Sequence, residues 1–158
     1  MELIAIPHNI RSLHNVGSMF RTADGAGIGK LYLTGYTGYP PREEITKTAL
    51  GAEKFVPWER SGNIGILIPK LKKEGYKIIA VENKCDRKFK TQSYNKYKPT
   101  GKVALIFGSE VKGLSNNILE KADIILEIPM RGEKESLNVS VAFGIVAYEL
   151  SKRSNKDF

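Results

Sequence analysis

Cysteine is nearly absent from this chain. Cys85 is the only one in 158 residues, so no internal disulfide is available and a zinc site has no cysteine pair to use. The chain therefore reads as a reduced, intracellular protein, expected in the cytoplasm and without a metal. No apolar run approaches the roughly 20 residues that cross a bilayer, which excludes a membrane-spanning role. The opening Met1-Glu2-Leu3-Ile4-Ala5-Ile6-Pro7 is too short for a signal peptide. Neither an internal repeat nor a low-complexity segment is present. Negative charge is the scarcer sign: 17 Asp and Glu stand against 25 Lys and Arg, for a net charge of +8. That excess favours a polyanionic partner such as RNA or DNA.

A dinucleotide fingerprint is missing as well. Gly25-Ala26-Gly27-Ile28-Gly29 has the glycines, but that motif needs a strand before them and a helix after. Here a helix precedes and the apolar run Leu31 to Thr34 follows, so the glycines read as a helix C-cap and tight turn.

What is present is a regular alternation. Leu3–Ile6, Leu31–Thr34, Lys77–Val81, Lys102–Phe107 and Ile124–Ile128 are short apolar runs with the character of buried strands, and Phe55–Trp58 is a further possible strand interrupted by Pro57. Between them lie helical patterns. Asn15 is a plausible N-cap for a helix to about Ala26, with Val16, Met19, Phe20 and Ala23 as its apolar stripe and Arg21 pointing away from it. Arg42 to Leu50 forms a short helix; Ile64, Leu67, Ile68 and Leu71 fall at helical spacing, with Pro69 able to break or kink the pattern; Ser115 or Asn116 caps a short helix to about Ala122. Strands alternating with helices predict an α/β domain with a mostly parallel sheet, occupying residues 1–158 as one unit. In such sheets ligands bind beyond the carboxyl ends of the strands, so the loops after Val81, Phe107 and Ile128 form the default pocket.

The stretch from Ile128 to Leu150 organises the rest. A strand stops at Pro129, a polar loop follows, and an apolar helix starts around Asn138. Ser136 and Asn138 are good N-cap residues, so the loop ends where free N–H groups and the positive end of a helix dipole suit an anion or polar ligand. Val139, Ala142, Phe143, Val146 and Leu150 make one stripe of that helix, while Val141, Ile145 and Tyr148 on the other side are apolar too. Two apolar faces need cover on both sides: the sheet on one, and on the other either a second subunit or burial within the monomer. Asn83 to Pro99 differs again, with Lys84, Arg87, Lys88, Lys90, Lys96 and Lys98 interleaved with Phe89, Tyr94 and Tyr97. This composition fits a nucleic-acid surface with rings available for stacking, or a solvated loop held by anchoring aromatics.

Three segments together resemble the SpoU, or TrmH-like, RNA methyltransferases of the SPOUT superfamily. Asn15-Val16-Gly17-Ser18-Met19-Phe20-Arg21-Thr22-Ala23-Asp24 is similar to the first motif of that family, Phe107-Gly108-Ser109-Glu110-Val111-Lys112-Gly113-Leu114 to the second, and Ile128-Pro129-Met130 through Ser136-Leu137-Asn138-Val139-Ser140 to the third. The resemblance implies a C-terminal trefoil knot, a homodimer formed partly by the C-terminal helix, and S-adenosylmethionine bound in the knot by Val81, Gly108, Ile128, Ser136 and Leu137. It further implies methyl transfer to a ribose 2′-hydroxyl of transfer or ribosomal RNA, with Arg21 activating and Asn15, Glu110, Ser136 and Asn138 supporting. Relatives often carry extra RNA-gripping segments that are not seen here. RNA contact is therefore expected from the core, through Arg21 and the loop residues Lys84, Arg87, Lys88 and Lys90.

Overall fold

The computed structural model describes residues 1–154. Seven parallel strands form one sheet: β1 (Glu2–Pro7), β2 (Leu31–Thr34), β3 (Trp58–Ser61), β4 (Tyr76–Val81), β5 (Gln92–Ser93), β6 (Lys102–Phe107) and β7 (Ile124–Glu127), in the spatial order β3-β2-β1-β6-β4-β7-β5. Five helices cover it: α1 (Leu13–Ala26), α2 (Glu43–Ala49), α3 (Ile64–Lys73), α4 (Asn116–Lys121) and α5 (Val139–Ser154).

A parallel sheet with helices on both faces needs strands that are apolar on both sides, and the three central ones are. In β1, Leu3 and Ala5 enter the core beneath α1 and α5, while Ile4 and Ile6 enter the one beneath α3 and α4. The same two-residue period divides β6 into Val103, Leu105 and Phe107 against Ala104 and Ile106. Phe107 meets Phe143 of α5 edge to face at 5.0 Å, and both are fully buried.

Several local expectations shift. Helix α1 begins earlier than Asn15: Ser12 is its N-cap, its Oγ accepting from the Asn15 amide at 3.2 Å, and Gly27 closes the helix in the left-handed region at φ 74°. This frees the Asn15 side chain for other partners. The expected Phe55–Trp58 strand forms instead at Trp58–Ser61, with Phe55 77% exposed before it. Strand β3 is a sheet edge with a half-wet face, so Glu59 and Arg60 are compatible with it and an apolar run is not required. Pro69 does not break α3. It stands on the exposed side, where water can bond the Gly65 carbonyl that its missing N–H leaves free.

Candidate functional site

Strands β6, β4 and β7 are neighbours, so their carboxyl ends bring three loops together. Between those loops lies a narrow cleft of about 90 Å³ whose lining includes Val81, Gly108, Ile128, Ser136 and Leu137. The residues expected to hold the methyl donor are therefore adjacent in space.

Two residues that the sequence reading passed over build the walls of this cleft. The buried Glu82, directly after β4, accepts from the Leu114 amide at 2.7 Å and the Lys84 amide at 3.0 Å, tying the β4 loop to the β6 loop. Gly113 makes room for it. A Cβ there would lie 2.5 Å from a Glu82 carboxylate oxygen, and the residue sits at φ 64°, where glycine is preferred. Asn83 acts on the other side, donating from Nδ2 to the Ile128 carbonyl at 2.8 Å and accepting the Ile128 amide at 2.9 Å. The same Nδ2 reaches the Glu135 carbonyl at 3.1 Å. An acid and an amide at the first two positions beyond a buried strand were the available signal.

A second set of contacts joins α1 to this region. Asn15 Nδ2 donates to Glu110 Oε1 at 2.7 Å, and the same oxygen accepts the Val139 amide at 3.4 Å, at the first residue of α5. Asn138 caps that helix, its Oδ1 accepting from the Ser140 amide at 2.9 Å and the Ser140 hydroxyl at 2.6 Å. Residues from all three motif segments thus meet around the N-terminus of α5. Arg21 does not join them. It is exposed on α1, outside the lining of the cleft.

The basic loop divides into rings and charges. Tyr97 is buried, and Tyr94 and Phe89 are half-buried against the two cores, so these rings anchor the loop and do not offer open stacking faces. Lys84, Arg87, Lys88 and Lys90 are exposed. Lys84 lies 3.5 Å from Glu135, and Lys88 lies 3.4 Å from Glu120 and over the Phe89 ring at 5.1 Å. Burial, together with the nearby carboxylates of Glu82, Glu127 and Asp86, pushes the Cys85 thiol up, away from the reactive thiolate form. Among the described residues no group of acidic, histidine or cysteine side chains is arranged to hold a metal, and no helix is long and apolar enough to cross a membrane.

The sequence model of the SpoU rRNA methylase family matches residues 2–148. The chain belongs to that family. As a SpoU-family member it is 31% identical over 151 residues to the 23S rRNA (guanosine-2′-O-)-methyltransferase RlmB of Coxiella burnetii, covering 96% of this chain and 58% of that protein. Its fold is similar to that of the TrmH/SpoU tRNA modifying enzyme of A. aeolicus, with a TM-score of 0.84 and 30% identity over 96% of this chain and 75% of that one. It is also similar to an AdoMet-bound rRNA methyltransferase from Sinorhizobium meliloti, with a TM-score of 0.87 and 27% identity over 97% of this chain and 56% of that one. The chain spans 55–61% of the length of the first curated relatives it matches.

Proposed function

We propose that this SpoU-family chain is an S-adenosylmethionine-dependent methyltransferase acting on a ribose 2′-hydroxyl of transfer or ribosomal RNA. The observation that carries this reading is the gathering of Val81, Gly108, Ile128, Ser136 and Leu137 in one cleft, with the Asn15–Glu110 contact at the N-terminus of α5 beside it.

The donor set fits the cofactor. Val81, Ile128 and Leu137 line the cleft and would give an apolar surface for a flat ring, while main-chain groups of the loops at these strand ends would offer polar contacts. Gly108 keeps the floor close, since a Cβ there would lie within 3.0 Å of Gly113 and Leu114. At about 90 Å³ the cleft is tighter than the roughly 300–1,000 Å³ of ordinary ligand sites, so occupancy requires its rim loops to part. One contact resisting this is the exposed Lys84–Glu135 pair, worth no more than ~1 kcal/mol. S-adenosylmethionine bound there supplies a methyl group on a sulfonium centre with a good leaving group.

What remains for the protein is in-line positioning of the hydroxyl and stabilisation of its oxygen as the proton passes to solvent water. Arg21 is assigned to the phosphate beside the target ribose and to the developing alkoxide, because a guanidinium offers only donors and stays charged. Glu110 orients Asn15, and Ser136 and Asn138 shape the loop that faces the ribose. Lys84, Arg87, Lys88 and Lys90 hold the RNA backbone.

Arg21 stands outside the cleft, on the helix that packs against α5. On α5 itself Val141 and Tyr148 are 49% and 52% exposed, an apolar face that supports a homodimer through this helix. Such a dimer borders Arg21. By its resemblance to the family, α5 is read as threaded through a trefoil knot formed where the loops after β4, β6 and β7 meet. The whole chain, 1–158, is read as one methyltransferase domain working in the cytoplasm.

The test is transfer of labelled methyl from S-adenosylmethionine into separate pools of unmodified transfer and ribosomal RNA, followed by alkaline hydrolysis. Label in alkali-resistant dinucleotides is the expected result. Label confined to mononucleotides would move the reaction to a base, and absence of label with cofactor bound would overturn the enzymatic reading.

A further inference from the structure

A second cavity, of about 290 Å³, lies beside the donor cleft and shares the wall formed by Ser109–Lys112 and Val139 with it. Its opposite side comes from the loop after β1 and the loop after β2. None of the three motif segments accounts for that side.

Its main feature is Tyr36, 54% exposed yet fixed in place by its backbone. The Tyr36 amide donates to Asn9 Oδ1 at 3.1 Å, with Asn9 itself in the left-handed region at φ 56°. Gly35, at φ 63°, is required here, because a Cβ would fall 1.8 Å from that same oxygen. Two unusual backbone conformations are thus committed to presenting one exposed ring. The Arg11 guanidinium lies 5.9 Å from the ring centroid, and the far wall carries the hydrogen-bonded Asn15 and Glu110. Tyr39 of the same loop is partly covered instead, by Arg60 of β3 at 4.8 Å and by the Trp58 ring at 6.2 Å. Tyr36 has the exposure that Phe89, Tyr94 and Tyr97 lack.

We propose that this cavity receives the nucleoside to be methylated, its base stacked on Tyr36 and an adjoining phosphate held by Arg11, so that the ribose lies at the Ser109–Lys112 edge where the two cavities adjoin and its hydroxyl can meet the donor. An aromatic face takes any base and a guanidinium takes a phosphate, so the ligand class is an unpaired nucleotide of RNA. The proposal rests on the reading of the chain as an RNA methyltransferase.

The experiment compares wild type with Tyr36→Ala, Tyr36→Phe and Arg11→Ala, using unmodified transfer and ribosomal RNA as probes. Three quantities are read: kcat and KM for methyl transfer, RNA affinity by filter binding without cofactor, and S-adenosylmethionine affinity by calorimetry. Tyr36→Ala is expected to raise KM and the RNA dissociation constant by roughly 5- to 100-fold, the range of one lost base stack. Cofactor affinity and thermal midpoint stay unchanged, and Tyr36→Phe restores binding. Arg11→Ala is expected to weaken RNA binding and reduce its salt slope by about one. Wild-type KM and RNA affinity in Tyr36→Ala overturn the proposal, as does a loss that Phe fails to restore. Should wild type transfer no methyl, the enzymatic reading fails instead, and the filter-binding arm alone then decides on the pocket by the same criteria.

Discussion

Replacing Glu82 with alanine should loosen the donor cleft and the fold together. In the native protein its carboxylate accepts the Leu114 amide at 2.7 Å in a buried setting and the Lys84 amide at 3.0 Å nearer the surface. Water cannot readily replace the first partner, and a buried N–H left without an acceptor costs about 1–3 kcal/mol. The second amide can rehydrate, so its loss is about 0.5–1 kcal/mol. Together they give about 1.5–4 kcal/mol. With a urea dependence near ~2 kcal/mol per molar, a central loss of ~3 kcal/mol lowers the unfolding midpoint by about 1.5 M. Gly113→Ala attacks the same carboxylate from the other side, through a Cβ 2.5 Å from its oxygen and the strain of φ 64°, and should fall in the same range. Urea unfolding followed by circular dichroism reads both variants, and calorimetry should show weakened S-adenosylmethionine binding. A Glu82→Ala midpoint within about 0.3 M of wild type would refute the view that this carboxylate holds the two loops together.

Phe143→Ala removes a fully buried ring packed on Phe107 and should cost about 3–5 kcal/mol in thermal or urea unfolding. His8 is held neutral, its pKa lowered from 6.5 by burial, with Nδ1 2.8 Å from Thr34 Oγ1. Because the folded value lies below the unfolded one, its contribution to stability is complete above pH 6.5 and is lost as pH falls through the folded value. His8→Gln should flatten that part of a stability–pH curve. Arg21→Ala should lower kcat by roughly 10²–10³-fold while leaving cofactor affinity and oligomeric state intact, measured by single-turnover methylation and sedimentation. Comparable turnover would remove Arg21 from the site.

The strands were legible because a parallel sheet covered on both faces demands unbroken apolar runs, and β1, β4 and β6 have them. The edges were not. Trp58–Ser61 and Gln92–Ser93 pair on one side only, so nothing in their composition marks them as strands. Capping was narrowed to Ser115 or Asn116 for α4, where Ser115 is the cap, and misplaced for α1, where Ser12 and not Asn15 caps the helix. The expected donor residues could be collected because they sit in recognisable segments at strand ends. Glu82, Asn83 and Tyr36 lie outside those segments, and their importance comes from hydrogen bonds and backbone angles that appear only when distant loops meet. In the Asn83–Pro99 loop, composition alone left two meanings open for the aromatic rings, and packing against the cores selects the anchoring one.

The pairing of β1 with β6 also bears on how the molecule is made. Glu2 lies opposite Lys102 and Pro7 opposite Phe107, so the central strand of the N-terminal half finds its partner only a hundred positions downstream. At a synthesis rate of about 5–20 residues per second, β1 leaves the ribosome roughly 5–20 s before β6 exists. Through that interval Leu3, Ile4, Ala5 and Ile6 have only one of their two strand neighbours, β2, within reach. Contacts so remote in sequence also slow the folding search itself. The newborn chain accordingly carries short aliphatic segments that stay half-paired until β6 is made, so slower synthesis of the downstream half should lengthen their exposure.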